Sequence, residues 1–387
     1  MMQRLQGWAT TVLIVGTLLG CAGTSTKPPA DQPLVTGPVS PAAGPPIALA
    51  AVPAPVAGSR GVWIPVGWDD LPGFDGDALF EAWNAWIKSC EKPPPAFAPL
   101  CSDVRRLSIG TADEQRAWMK ERLQPYRIEA KDGNPDGLLT GYYEPVIPAS
   151  RLPTPQFTVP LYGLPAGGQP KGPWYTRQQI DTLPAARTAL AGREIAWLAD
   201  PVEAMVLHIQ GSGRLLITEP DGSQHTVRLA FAGTNDQPYR SIGSWLLRQG
   251  ATRDATWPGI RNWLARNPQR INELMWTNPR YVFFREEPLE GIDKYFGPRG
   301  AQGVGLTPGR SIAVDRASIP YGTPVWLSST GPLVNLQRLV LAQDTGSAIV
   351  GAVRADFFTG WGPEAGEIAG RLKQGLRLWA LWPKQAS

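Results

Sequence analysis

The chain has 387 residues, long enough for two domains of ordinary size, each with its own core. Hydrophobic residues make up 43% and charged ones only 18%, while Gly (42) and Pro (40) are abundant, which favours short strands and turns over long helices. The net charge of +4 is spread along the chain, which excludes the basic stripe of a nucleic-acid binder and tolerates a weakly anionic polymer.

At the start, Arg4 supplies a positive end to the short apolar run Trp8 to Leu19, which closes in Leu18-Leu19-Gly20-Cys21. A run this short falls below the roughly 18 residues needed to span a bilayer, so residues 1–21 read as a cleaved signal peptide. Its end resembles a bacterial lipobox, which implies lipidation of Cys21 and, with Ala22 rather than Asp next, sorting to the periplasmic face of the outer membrane. Residues 22–59 hold nine Pro and almost no charge. They read as a Pro-rich tether reaching on the order of 100 Å at about 3.1 Å per residue.

Asp77 is placed to cap a helix whose apolar positions Phe80, Trp83, Trp86 and Ile87 follow the helical period. Cys90 and Cys101, in an exported chain, suit a disulfide. Thr111-Ala112-Asp113-Glu114 is a capping box that opens a second helix, ending near Pro125. From Leu138 to Thr234 the pattern turns to short strand-like runs: Gly141 to Val146, Phe157 to Tyr162, Val202 to Ile209, Leu215 to Thr218 and Thr226 to Phe231. Helical patterns return at Ile242 to Arg248, Ile260 to Leu264 and Ile271 to Trp276. Strands resume at Tyr281 to Phe284, Ser311 to Val314, Pro324 to Leu327, Arg338 to Ala342 and Leu376 to Leu381, with one helix at Glu364 to Lys373.

The chain has only two histidines, His208 and His225, and its cysteine spacing is not that of a zinc site, so no metal and no cofactor are expected. The sixteen Trp and nine Tyr fill core for the most part, but such a load also suits a protein that stacks sugar rings.

Three aspartates end or follow hydrophobic strand-like stretches: Asp315 in Ala313-Val314-Asp315-Arg316, Asp344 in Ala342-Gln343-Asp344-Thr345-Gly346, and Asp356 in Arg354-Ala355-Asp356-Phe357-Phe358. Singly, each fits a turn-capping role. Together they form a candidate acid/base cluster. With Gly362-Pro363-Glu364-Ala365-Gly366 they resemble the three-aspartate domain of the membrane-bound lytic murein transglycosylase A family. Thr140-Gly141-Tyr142-Tyr143-Glu144-Pro145, His208-Ile209-Gln210-Gly211-Ser212-Gly213, Tyr239-Arg240-Ser241-Ile242-Gly243 and Tyr281-Val282-Phe283-Phe284 are similar to that family's other signatures, in order. Ser347 departs from the pattern, standing where many relatives have a second Gly.

The resemblance implies a mainly β chain with a double-psi β-barrel assembled from residues 60–145 and 276–387, an inserted second β domain at 146–275 and a few short helices. It further implies cleavage of peptidoglycan strands without water, with Asp356 as acid and then base and with Asp344 and Asp315 in support. Thr140, Gly141, Tyr142, Tyr143, Gln210, Gly211, Ser212 and Gly213 are expected to contact the glycan. The bland alternatives are a core strand for the tyrosines and a hairpin turn for Gln210 to Gly213. His208 reads as a strand residue rather than a catalyst. Arg354 is placed either to pair with Asp356 or to meet a substrate carboxylate. Expected partners are peptidoglycan and the outer membrane, with a cell-wall synthesis complex left open. Two rival functions stay open: a non-catalytic glycan-binding lipoprotein, and a hydrolase using Asp344 and Asp356 with water.

Overall fold

The computed structural model describes residues 54–384. The expected signal peptide, Cys21 and most of the expected tether lie outside them. Val56–Ala57, at the end of the expected tether, form β1 and pair with β2 (Gly61–Pro65). Next come α1 (Phe80–Ser89), α2 (Cys101–Arg106), α3 (Ala112–Arg122), β3 (Leu123–Ala130) and β4 (Gly137–Glu144). The Thr111 box forms as expected, with Thr111 Oγ1 accepting from Glu114 N–H at 3.3 Å and Glu114 Oε2 accepting from Thr111 N–H at 2.7 Å. A Cys90–Cys101 disulfide ties the end of α1 to the start of α2.

Asp77 does not cap α1, whose cap position is Leu79 with φ 57° and no side-chain bond. Its carboxylate is taken instead by buried Arg310, at 2.7 and 2.8 Å, and by the Leu339 N–H at 2.8 Å. Burial pushes this carboxyl up, but the guanidinium and the amide outweigh it and hold it below its ordinary value. A charge-assisted pair outcompetes a helix cap, which is worth only about 1 kcal/mol.

The C-terminal part supplies β11 (Ser311–Val314), β12 (Pro324–Thr330), β13 (Asn335–Asp344), β14 (Arg354–Trp361), α10 (Gly362–Arg371) and β15 (Lys373–Pro383). The large sheet runs β1-β2-β3-β15-β12-β13-β11-β14-β4, and a further β15–β4 pairing closes its second half into a ring. Two of its pairings, β11 with β13 and β14 with β4, are parallel, while the others are antiparallel. This is the mainly β, double-psi barrel that the resemblance implies.

Side-chain alternation explains why these strands read as continuous apolar runs. In β13, Val340 and Ala342 face the barrel interior, while Leu339 and Leu341 face α1 to α3 on the outside. The same division puts Val325 and Leu327 inside and Trp326 outside, and Leu378 and Ala380 inside against Trp379 and Leu381 outside. Trp83, Trp86 and Trp118 pack together in the outer layer, with ring centroids 5.2, 5.6 and 5.8 Å apart. Most of the tryptophan-rich N-terminal segment is therefore core.

Between the two halves lie β5 (Val146–Ser150), β6 (Val159–Tyr162), α4 (Arg177–Thr182), α5 (Pro184–Leu190), β7 (Glu194–Leu198), α6 (Pro201–Gln210), β8 (Gly213–Thr218), β9 (Gln224–Thr234), α7 (Ile242–Arg248), α8 (Trp257–Arg266), α9 (Ile271–Trp276) and β10 (Val282–Pro288). The strands form a second sheet in the order β10-β9-β8-β5-β7-β6. Because β10 pairs along β9, this sheet extends past the expected boundary at residue 275.

Residues 202–209, expected as a strand, form α6, and His208 is therefore a helix residue. Asp200 caps the helix by accepting the Val202 N–H at 2.7 Å, Pro201 opens it, and Gly211 ends it at φ 78°. Its all-round apolarity hides the helical period because both sides are buried. Ala204 and Leu207 pack on the second sheet, while Val202 and Met205 pack on α7 to α9.

Candidate active site

The site begins with register. On β11, Ala313 pairs with Asp344 of β13 on one side and with Asp356 of β14 on the other. Side chains in register across a sheet share a face, so the two carboxyls flank a single methyl group, with Cα atoms about 10 Å apart over two strand spacings. A register shift between Ile312 and Ala313 achieves this, since Ile312 pairs with Ala342 and Gln343 is skipped. Gln343 is fully buried, and its amide donates to Ala85 O and Ser89 Oγ, each at 2.8 Å.

On the other side of β14, β4 runs parallel, with Thr140 opposite Asp356 and Tyr142 opposite Phe358. Thr140 donates its hydroxyl to Asp356 Oδ1 and accepts from Arg354 Nη2 at 2.8 Å. Asp344 is more heavily solvated by protein: Oδ1 accepts the Ala301 N–H at 2.9 Å and Oδ2 accepts the Tyr142 hydroxyl at 3.0 Å. Among the described residues, Asp356 Oδ2 has no hydrogen-bond donor, and the side chain lines the cavity.

Burial pushes the Asp344 carboxyl up to about 6, against the N–H groups of Thr345 and Ala301 and the Tyr142 hydroxyl, with the Asp356 charge adding to the rise. Burial also raises the Asp356 carboxyl, opposed by the Thr140 hydroxyl and the Arg354 charge. The two carboxyls differ in their donors: Asp344 accepts from the Thr345 and Ala301 N–H groups and the Tyr142 hydroxyl, while Asp356 accepts from the Thr140 hydroxyl. Burial, and then the two neighbouring carboxylates, keep Tyr142 protonated and therefore a donor.

A groove passes through this pair. One arm, a cavity of 640 Å³, is lined by Thr140 to Tyr143, Gln210, Trp257, Asp344 and Asp356 among others. The second, of 600 Å³, shares Tyr142, Gln210 and Asp344 and continues past Gly211, Ser212, Phe231 and Tyr239. Seven of the eight expected contact residues line one arm or the other.

Gly213 is the exception. It starts β8 against Leu207, whose Cδ1 lies 2.3 Å from where a Cβ would stand, so it serves packing rather than the groove. Two other residues have structural duties beside the groove. Gly141 meets α10, with Ala369 Cα 2.8 Å from a would-be Cβ. Gln210 Oε1 accepts the Tyr143 N–H at 3.1 Å, leaving its NH2 as the free donor. Gln210 to Gly213 are thus a helix end leading into a strand rather than a hairpin turn.

Asp315, expected in a supporting role, lies beyond the end of β11 and outside the groove lining, where Oδ1 accepts the Ala317 N–H at 2.9 Å and Oδ2 accepts the Gly351 N–H at 3.0 Å and meets Arg60 at 3.2 Å. Its carboxylate holds the loop that leads into β14, so it acts on Asp356 only through the backbone. Arg354 makes no direct ion pair with Asp356 among the described residues; it reaches Asp356 through Thr140 and by its charge, and it lines the groove. His208 is buried with neither ring nitrogen partnered among the described residues, and burial, followed by the Arg177 charge, holds it well below its ordinary value, so it is neutral. Nothing in the local sequence pointed to Ala313, Ala301 or Trp257, which pairing, a loop and a distant helix bring to the groove.

Two family models match the chain, the MltA specific insert domain over residues 138–285 and the 3D domain over residues 310–382. The membrane-bound lytic murein transglycosylase A of Vibrio cholerae is 31% identical over 273 residues, covering 67% of this chain and 69% of that protein. The chain belongs to the membrane-bound lytic murein transglycosylase A family. An MltA structure from Neisseria gonorrhoeae superposes with a TM-score of 0.72 at 29% identity, covering 87% of this chain and 97% of that one. The lytic transglycosylase LtgG of Burkholderia pseudomallei is 42% identical with a TM-score of 0.57, covering 86% of this chain and 100% of that one. Asp344 and Asp356 fall within the 3D domain match, and Thr140 to Tyr143 and Gln210 to Ser212 within the MltA insert match.

Proposed function

We propose that this chain is a peptidoglycan lytic transglycosylase in which Asp356 serves first as general acid and then as general base. Family membership supports the enzyme class, since the curated relatives are named lytic murein transglycosylases. The observation that carries the assignment is the unequal solvation of the carboxyl pair. Asp356 keeps Oδ2 without a protein donor beside the groove, while both oxygens of Asp344 are occupied.

In the first step Asp356 protonates the oxygen leaving the muramoyl C1, and positive charge grows on the ring carbon and its oxygen. The Asp344 carboxylate, on the same face, stabilises that charge. The Asp356 carboxylate then takes the proton of the substrate's own C6 hydroxyl as that oxygen closes on C1, giving a 1,6-anhydro end. One protein acid suffices because the nucleophile is already attached to the substrate. Family names that include "membrane-bound" support an envelope location, with Cys21 lipidated and the protein held on the periplasmic face of the outer membrane. Among the described residues no helix is long and apolar enough to cross a membrane.

One observation favours a second reading: two raised carboxyls on one sheet face could also serve a hydrolase that activates water. Mass spectrometry of peptidoglycan digested by the purified chain separates them. The proposal expects 1,6-anhydro ends, and reducing ends would overturn it in favour of the hydrolase.

A further inference from the structure

The two arms of the groove differ in charge. The first is lined by four cationic side chains and three carboxylates. The second is lined by Lys92, Arg280, Arg285 and Arg299, and Asp344 is its only carboxylate. Arg285 is paired with Glu287 at 2.7 Å, but Lys92, Arg280 and Arg299 make no ion pair among the described residues. Arg280 is half-buried, and its one side-chain hydrogen bond among the described residues is a long one to Gln237 O, at 3.4 Å. Burial lowers its pKa, opposed by the charge of Asp236, so its cationic form is held at a cost.

Such a cost is relieved by an anion entering the arm, and a guanidinium is shaped to take a carboxylate through two parallel hydrogen bonds. The sugar rings of a glycan strand are neutral and do not call for unpaired cations. What is anionic in peptidoglycan is the peptide hung on the lactyl group of each muramoyl residue, with its free carboxylates. Phe231, Tyr239 and Val282 give the same arm an apolar wall suited to the rest of a peptide. We infer that the second arm is a binding site for the acidic peptide stem, with Arg280 and Lys92 as carboxylate ligands; this rests on the reading of the groove as a glycan site.

The anion has a second source, because a strand stripped of its stems by an amidase exposes the lactyl carboxylate itself. The test therefore uses strands with stems and amidase-stripped strands, assayed with the wild type, Arg280→Gln, Lys92→Gln and Arg280→Lys. Losing one charge-assisted hydrogen bond should raise KM for stem-bearing strands about tenfold in either Gln variant. KM for stripped strands and kcat should stay at wild-type values, and Arg280→Lys should recover part of the loss. An equal rise in KM on both substrates would assign the arm to the lactyl carboxylate and overturn the inference, as would no rise on either. Binding of both strand types is measured in parallel in an Asp356→Asn background. A stem-dependent affinity difference without anhydro products from the parent enzyme would sink the transglycosylase reading while leaving the stem site standing. Melting temperatures of the variants guard against simple unfolding.

Discussion

The Tyr142 hydroxyl donates to Asp344 Oδ2 at 3.0 Å, joining β4 of the N-terminal part to β13 of the C-terminal part at the carboxyl pair. Both parts of the barrel must be assembled before this carboxylate has its full set of donors.

Tyr142→Phe removes a donor that favours the ionised form, so the Asp344 carboxyl, already near 6, should rise further. Chemistry that needs Asp344 as carboxylate fails as pH falls through its pKa. The acid limb of the kcat profile should therefore move to higher pH. A profile that keeps its acid limb in place would remove Asp344 from the reaction.

Glu144 is fully buried and accepts from Arg214 Nε and Arg228 Nε, each at 2.7 Å, while Arg214 also lies 4.0 Å over the Trp361 ring. The cluster fastens β4 of the barrel to β8 and β9 of the second sheet, beside the groove. Glu144→Ala leaves two cations buried without their counter-charge, which should cost about 3–5 kcal/mol. Urea denaturation checks this, and a loss below about 1 kcal/mol would show that water or a shift of the arginines compensates.

Asp315→Asn should loosen the loop before β14 without touching the groove. Its lost Arg60 pair is half-exposed and worth little, so activity should fall only a few-fold and thermal stability modestly. Kinetics alongside a melting curve decide the matter: a collapse of kcat in a well-folded Asp315→Asn would return this residue to the active site.

What the sequence made legible was local. β11, α7 and α9 occur at their expected residues, and the Thr111 capping box forms; α7 and the Thr111 helix carry their own side-chain caps, Ser241 and Thr111. The carboxyl pair and its tyrosine were also legible, through motifs whose residues do meet in one groove. What escaped was set by distant partners. Asp77 looks like a cap until Arg310 is seen beside it, and α6 looks like a strand until both of its faces are seen buried. Asp315 shares its motif with the other two aspartates, yet it lies past the end of its strand and turns to Gly351. No local signal encodes the register shift that skips Gln343 and aims Asp344 across Ala313.

The proposed reaction depends most directly on the proton carried by Asp356. Asp356→Asn keeps the shape and the Thr140 contact but cannot give up a proton, so release of 1,6-anhydro ends should fall at least about 100-fold with the melting temperature near wild type. Mass spectrometry of peptidoglycan digests by this variant reads the outcome. Anhydro ends appearing at close to the wild-type rate would contradict the assignment and move the acid to another group.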